Sequence, residues 1–204
     1  MKLATLRSQR ADGDLVVVSA DLRRLARVRE IAPTMQRALD DWSNTRPALD
    51  AVYQQLNAGV RQDSEAFDGG AALSPLPRAY QWCDGSVYLA HAARMAKWID
   101  RPVPDNYSRE PWMYQGASDR FLAPTEDIPA ASEAWGVDYE AEVAVVTTDV
   151  PYGVKAEGAA RCIALVMLCN DVSLRNLIPD ELAKGFGFVQ AKPASSFSPV
   201  AVTV

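Results

Sequence analysis

Glu140 and Glu142 stand two positions apart in "VDYEAEVAVV" and run directly into apolar residues. On a β-strand side chains alternate between faces, so the two carboxylates point the same way. Ala144, Val145 and Val146 continue apolar on both faces, which predicts a strand covered on both sides and puts the acids at the edge of a core. Two carboxylates held that close must share a proton or find a cation, and a hard divalent ion with oxygen ligands is the usual remedy. The competing reading is the solvated face of an edge strand. Asp171 ends a second apolar segment in "VMLCNDVS". It is either a third acid for the same cation or a turn residue accepting backbone N–H groups.

The single histidine, His91, lies in "CDGSVYLAHAARMAKWID", where Tyr88, His91, Ala92 and Met95 share helical spacing. By that spacing it is a core histidine satisfied by one hydrogen bond. If a helix begins at Asp84, however, Asp84 and His91 lie two turns apart on nearly the same face. Asp84 also reads as an N-cap ahead of Gly85 and Ser86. Other chemistries find less support. No GxSxG elbow occurs, and "GFGF" at Gly185 lacks both the third glycine and a strand–turn–helix context for a nucleotide phosphate.

The elements that must carry these residues form a folded α+β chain. Of 204 residues 49% are hydrophobic, enough for a sizeable core. A formal net charge of -5 offers no basic surface for a nucleic-acid backbone. The N-terminus turns polar too early for a secretory signal, and the apolar run "CIALVMLC" is far short of a membrane span, so a cytoplasmic protein with no membrane partner is expected. Cys83, Cys162 and Cys169 are odd in number and lack CxxC spacing, which points to reduced thiols. "KLATL" and "DLVVV" around Asp12-Gly13 predict a β-hairpin. Two amphipathic helices follow, one on Met35, Ala38, Leu39 and Trp42, the other on Leu49, Val52, Tyr53 and Leu56. A Gly/Ser/Pro-rich stretch from Ala58 closes a small N-terminal domain with linker over 1–77, and a second domain occupies 78–204. Within it, "RPVPDNYSREPWMYQGASDRFLAP" reads as an ordered surface loop, and "YEAEVAVVT" and "CIALVMLCNDVS" as interior strands.

In order along the chain, "YQWCDGSVYLAH", "MYQGAS", "DYEAEVAVV", "VMLCNDVSLRN" and "AKPASSFSPVAV" resemble the fumarylacetoacetate hydrolase family, most closely from Arg78 onward. The resemblance implies a divalent metal held by Asp84, Glu140, Glu142 and Asp171, with Mg²⁺ or Ca²⁺, or Mn²⁺, suited to an all-carboxylate set. It implies His91 as general base, Lys192 as a lysine near the metal that steadies negative charge, and Tyr114 as a substrate contact. Arg94 or Arg101 would supply a substrate arginine. The implied reaction is hydrolysis of a carbon–carbon bond in a β-diketo acid such as fumarylacetoacetate, giving fumarate and acetoacetate, in aromatic amino-acid catabolism. Acylpyruvate hydrolysis and oxaloacetate decarboxylation are neighbouring chemistries, and a chain that only binds a metal or a partner is the alternative. The implied fold is a small N-terminal domain followed by an incomplete mixed β-roll, because "FSPVAVTV" reads as a strand beyond which the family continues, and the implied assembly is a homodimer. Near Ile178 the family carries a substrate-pocket glutamine instead.

Overall fold

A computed structural model describes residues 1–98, 100, 102–110 and 112–204. Strands β1 (Lys2–Leu6) and β2 (Asp14–Val18) pair antiparallel, with Lys2 opposite Val18 and Leu6 opposite Asp14. Gly13 sits in the turn at φ 62°, and a Cβ there would lie 2.5 Å from both the Leu6 carbonyl oxygen and Thr5 Cγ2. Gly13→Ala is therefore expected to lower stability by about 2 kcal/mol, since the left-handed backbone and the close approach both disfavour a side chain. A fall in the urea midpoint at unchanged slope would report it, and an unchanged midpoint would contradict it.

Strand β3 (Arg24–Arg27) adds to β2, and the two expected helices follow as α1 (Met35–Asp40) and α2 (Trp42–Asn57). The Thr34 hydroxyl accepts the Arg37 N–H and caps α1. The helical stripe Met35, Ala38, Trp42, Leu49, Val52 and Leu56 is buried against Leu3, Leu15, Val17 and Ala26 on one face of the sheet. On the opposite face Ala4, Val16, Val18 and Leu25 are covered by Leu6, Phe67 and Val200. The Gly/Ser/Pro-rich stretch after α2 is woven into the fold, because β4 (Glu65–Ala66) pairs with β3 and Ala72 bridges to Leu6.

Three elements then prepare the site. Strand β5 (Trp82–Gly85) precedes α3 (Leu89–Trp98) and pairs antiparallel with β6 (Met113–Gly116), with Asp84 opposite Tyr114. So Asp84 belongs to a strand, and α3 begins after it. No helix begins at Asp84 and it caps none, because its backbone is committed to the β6 ladder. Strand β6 lies inside the stretch expected to be a loop.

Strand β7 (Val137–Asp138) leads into the long β8 (Ala141–Thr147), and α4 (Ala156–Ala159) connects to β9 (Ile163–Asn170), its antiparallel partner. The chain continues through β10 (Ser173–Leu174), paired with β7, α5 (Ile178–Ala183), β11 (Ser196–Phe197) and β12 (Ala201–Thr203). β11 and β12 both pair with β9, and β12 pairs with β1, so one eight-stranded sheet joins the opening hairpin to the closing strands. All its ladders are antiparallel, with one isolated parallel bridge between Leu122 and Ser196. The fold is α+β: a small N-terminal layer of hairpin and helices followed by a sheet-rich roll. No helix among the described residues is long and apolar enough to cross a membrane.

Strand β8 departs from its expected environment. It is covered on one face only: Ala144 and Val146 face the core, whereas Val143 and Val145 are 55% and 45% exposed. The second face meets solvent because none of the described elements packs over it, and Leu168 of β9, opposite Val143, is exposed with it.

Candidate metal centre

Alternation on β8 turns Glu142 to the same side as Ala144, towards the core, opposite Cys169 of β9. Glu140 immediately precedes β8, and its carbonyl accepts the Asp171 N–H at 3.0 Å, which ties the entrance of β8 to the exit of β9. Asp171 is fully buried. Asp84 arrives from the β5–β6 ladder, which is anchored by Trp82 stacking edge-on against Phe121 and Phe197 at 5.9 and 5.4 Å. These placements bring one oxygen each of Asp84, Glu142 and Asp171 within 4.8 Å of one another. Three hard oxygen donors from three separate strand ends fit a divalent ion of the Mg²⁺, Mn²⁺ or Ca²⁺ kind, and the lack of a thiolate or imidazole among them disfavours soft metals.

Glu140 takes a different place. Its Oε1 accepts from Arg175 Nη2, and its Oε2 accepts from Lys192 Nζ at 2.9 Å, so its carboxylate faces two cations beside the group of three acids. Arg175 also donates from Nε and Nη2 to Asp138 Oδ2 at 3.1 and 2.8 Å. Lys192 reaches Asp171 Oδ2 at 2.5 Å and Ser173 Oγ at 2.8 Å. The Tyr114 hydroxyl lies 2.8 Å from Asp171 Oδ2 and 3.2 Å from Asp84 Oδ2, and Ser195 Oγ donates to Asp171 Oδ1 at 3.0 Å. Asp171 is therefore no turn cap, since both of its oxygens are taken by side chains.

The charges explain the titration behaviour. Burial, the hydrogen bond to Asp171, and the Asp171 and Glu142 charges push the Asp84 carboxyl up to about 8. Burial and the charges of Asp171 and Glu140 raise Glu142 to about 7. Burial works against ionised Asp171 as well, but hydrogen bonding to Asp84, Lys192 and Tyr114 holds its carboxyl below the ordinary range. Against the effect of burial, Asp171 and Glu140 hold the Lys192 ammonium above its usual range. Burial and the neighbouring carboxylates drive the Tyr114 hydroxyl well above its usual range, so it remains a proton donor. Five carboxylates, Asp138 included, face the two cations Arg175 and Lys192, and the excess negative charge centres on Asp84 and Glu142, where protons or a divalent ion would offset it.

His91 is on α3 with Nε2 4.0 Å from Glu140 Oε1, beyond hydrogen-bond length but at the rim of the same site, and its side chain is 38% exposed. It is thus half-exposed, not the core histidine its spacing suggested, because α3 buries chiefly Ala92. Arg94 is exposed on that helix, and Arg101 lies outside the described residues. Ile178 is buried at the start of α5. The structure adds Arg175, Ser173 and Ser195, which the sequence did not single out as site residues. Glu181 of α5 accepts the N–H groups of Val189, Gln190 and Ala191 at 3.0, 2.8 and 3.0 Å and fixes the segment that delivers Lys192.

Two stretches of the chain match known protein families. Residues 1–78 match the profile described as fumarylacetoacetase N-terminal domain 2, and residues 81–204 match that described as fumarylacetoacetate (FAA) hydrolase C-terminal. Two similar solved structures are the fumarylacetoacetate hydrolase of psychrophilic Exiguobacterium antarcticum (17% identity, TM-score 0.66) and the maleylpyruvate hydrolase of Sphingobium sp. SYK-6 in complex with manganese(II) and pyruvate (18% identity, TM-score 0.67). Each covers 100% of this chain, whereas the chain spans 66% and 67% of their respective lengths. No curated protein sequence matches it.

Proposed function

The chain belongs to the fumarylacetoacetate hydrolase family, and from that premise we propose that it is a metal-dependent hydrolase of a carbon–carbon bond in a β-diketo acid, with fumarylacetoacetate as the leading substrate. The observation that carries this reading is the convergence of Asp84, Glu142 and Asp171, with the Lys192 ammonium and Tyr114 hydroxyl aimed into the group. The four-carboxylate set of Asp84, Glu140, Glu142 and Asp171 remains the proposed ligand field, with Glu140 exchanging part of its pairing with Arg175 and Lys192 for the ion. The manganese in the maleylpyruvate hydrolase structure supports a divalent ion of this class, and Mg²⁺, Mn²⁺ and Ca²⁺ are the candidates.

When bound, the ion would supply Lewis-acid polarisation of the substrate's keto oxygen. His91, reachable by solvent and 4.0 Å from Glu140, takes a proton from the water that adds to the carbonyl carbon. The carbon–carbon bond then breaks with its electron pair on the departing carbon. His91 returns the proton to that carbon. Lys192 offers positive charge to the developing oxyanion, and Tyr114 orients the substrate by its hydroxyl. Arg94, exposed on the His91 helix, is the proposed contact for the substrate carboxylate at the solvent side.

Buried Ile178, near the place of the family's substrate glutamine, favours a second reading in which the substrate is a related keto acid, either an acylpyruvate or oxaloacetate undergoing decarboxylation. A homodimer in the cytoplasm completes the proposal, and the exposed apolar outer face formed by Val143, Val145 and Leu168 supports self-association. The test is turnover of fumarylacetoacetate, an acylpyruvate and oxaloacetate by the chain loaded with each ion. His91→Asn is expected to lower the rate about 10²- to 10⁴-fold while leaving ion binding intact. Undiminished turnover by His91→Asn would overturn the assignment of the base.

A further inference from the structure

The Lys192 side chain is 8% exposed and its ammonium is fully engaged: three N–H groups meet three acceptors, Asp171 Oδ2, Glu140 Oε2 and Ser173 Oγ, at 2.5, 2.9 and 2.8 Å. The backbone behind it is pinned by Glu181 through the three N–H groups of Val189, Gln190 and Ala191. An ammonium held this way is a fixed charge, not a mobile side chain that drifts aside when another cation approaches. It also claims the same carboxylate that the group of three acids would offer to an ion. Asp171 Oδ1 is occupied by Ser195 Oγ, and Oδ2 is already shared between Lys192 and Tyr114. Any divalent ion seated among Asp84, Glu142 and Asp171 must therefore draw on a carboxylate whose negative charge is committed to Lys192, and must tolerate a positive charge within one salt-bridge length of its ligand.

From this arrangement we infer that Lys192 is an internal competitor of the divalent ion: its ammonium sets the metal affinity of the site and keeps the ion exchangeable. The inference rests on the metal-site reading above. It differs from the charge-steadying role expected of Lys192 towards substrate, because it concerns the enzyme with no substrate present. Two opposed effects follow from the same contacts. Removing the ammonium leaves Asp171 and Glu140 repelling each other and the remaining acids, so the metal-free chain loses stability. It also removes a repulsion from the ion and frees a ligand oxygen, so the ion binds more tightly. Like charges a few ångströms apart in a partly buried site interact strongly enough to change affinity by roughly a hundredfold.

The experiment compares wild type, Lys192→Met and Ser173→Ala for binding of Mn²⁺ by calorimetry at one pH, with thermal unfolding measured with and without Mn²⁺. Lys192→Met is expected to bind Mn²⁺ roughly a hundredfold more tightly, with a lower unfolding temperature without Mn²⁺ and a larger rise on adding it. Ser173→Ala keeps the ammonium and removes one of its three holds, so a several-fold gain in affinity is expected, and this variant carries the test if Lys192→Met does not fold. Equal or weaker Mn²⁺ binding by the variants than by wild type overturns the inference alone. Absence of saturable binding in wild type and variants together overturns it along with the metal-site reading.

Discussion

Glu142→Gln is expected to stabilise the metal-free protein and to weaken metal binding, two changes of opposite benefit from one atom's replacement. Glu142 faces the core beside Asp171 and Glu140, and burial with those charges raises its carboxyl to about 7. Above that pH the carboxylate is held ionised at a cost that a neutral amide of the same shape avoids. The full shift from the ordinary value, discounted for the partial exposure of this side chain, corresponds to about 1–2 kcal/mol of added stability at pH 8. The same substitution removes one of three convergent anionic oxygens, so affinity for Mn²⁺ should fall about a hundredfold or more. Denaturant unfolding at pH 8 and ion titration read the two effects separately. A variant that is less stable and binds normally would show that Glu142 serves packing and has no part in holding an ion.

The second large effect is a loss of stability with rising pH that the ion removes. Asp84 and Glu142 have folded-state carboxyls raised to about 8 and about 7, above their ordinary values of 3.8 and 4.5. A raised carboxyl means that the folded chain binds more protons than the unfolded one. Stability from these two groups is thus complete below about pH 4 and is lost as pH climbs through 7 and 8. Asp171, held low by its partners, works in the opposite direction at acid pH and is not responsible for the loss near neutrality. A divalent ion must displace the protons from Asp84 and Glu142, so its affinity should rise about tenfold per pH unit for each proton displaced until both groups ionise. Melting temperatures of chelated protein from pH 5 to 9 should fall with pH, and addition of Mn²⁺ should restore them most at the alkaline end. A flat profile in chelator would contradict the raised carboxyls.

These effects depend on placements that local sequence conveys unevenly. The hairpin about Gly13 and the helices α1 and α2 are legible because a turn residue and a 3.6-residue stripe are local signals. Glu142 faces the core as alternation on β8 predicts, whereas Glu140 lies before the strand and outside the group of three acids. Asp84 is harder. "WCDG" is only four residues long, its partner "MYQG" lies in a proline-rich stretch, and a following Gly-Ser imitates a helix entrance, so only the long-range pairing with Tyr114 reveals the strand. Arg175 gave no local sign of belonging to the site, because a site arginine and a solvated one look alike until its partners Asp138 and Glu140, more than thirty residues away, are in place. Glu140 was readable as an acid of the site but not as the acid that answers to Lys192 and Arg175. The outer face of β8 misled for a related reason: Val143 and Val145 are apolar, yet sequence alone does not say whether a strand's second face is covered.

Asp84, Glu142 and Asp171 are expected to hold one divalent cation between them. The most direct measurement is a titration of the chelator-stripped chain with Mn²⁺ at pH 8, followed by the electron paramagnetic resonance signal of the free ion. The free signal should stay suppressed until one Mn²⁺ per chain has been added, and that suppression should be lost in Asp171→Asn. A free-ion signal rising in proportion from the first addition, or an Asp171→Asn titration identical to wild type, would contradict it.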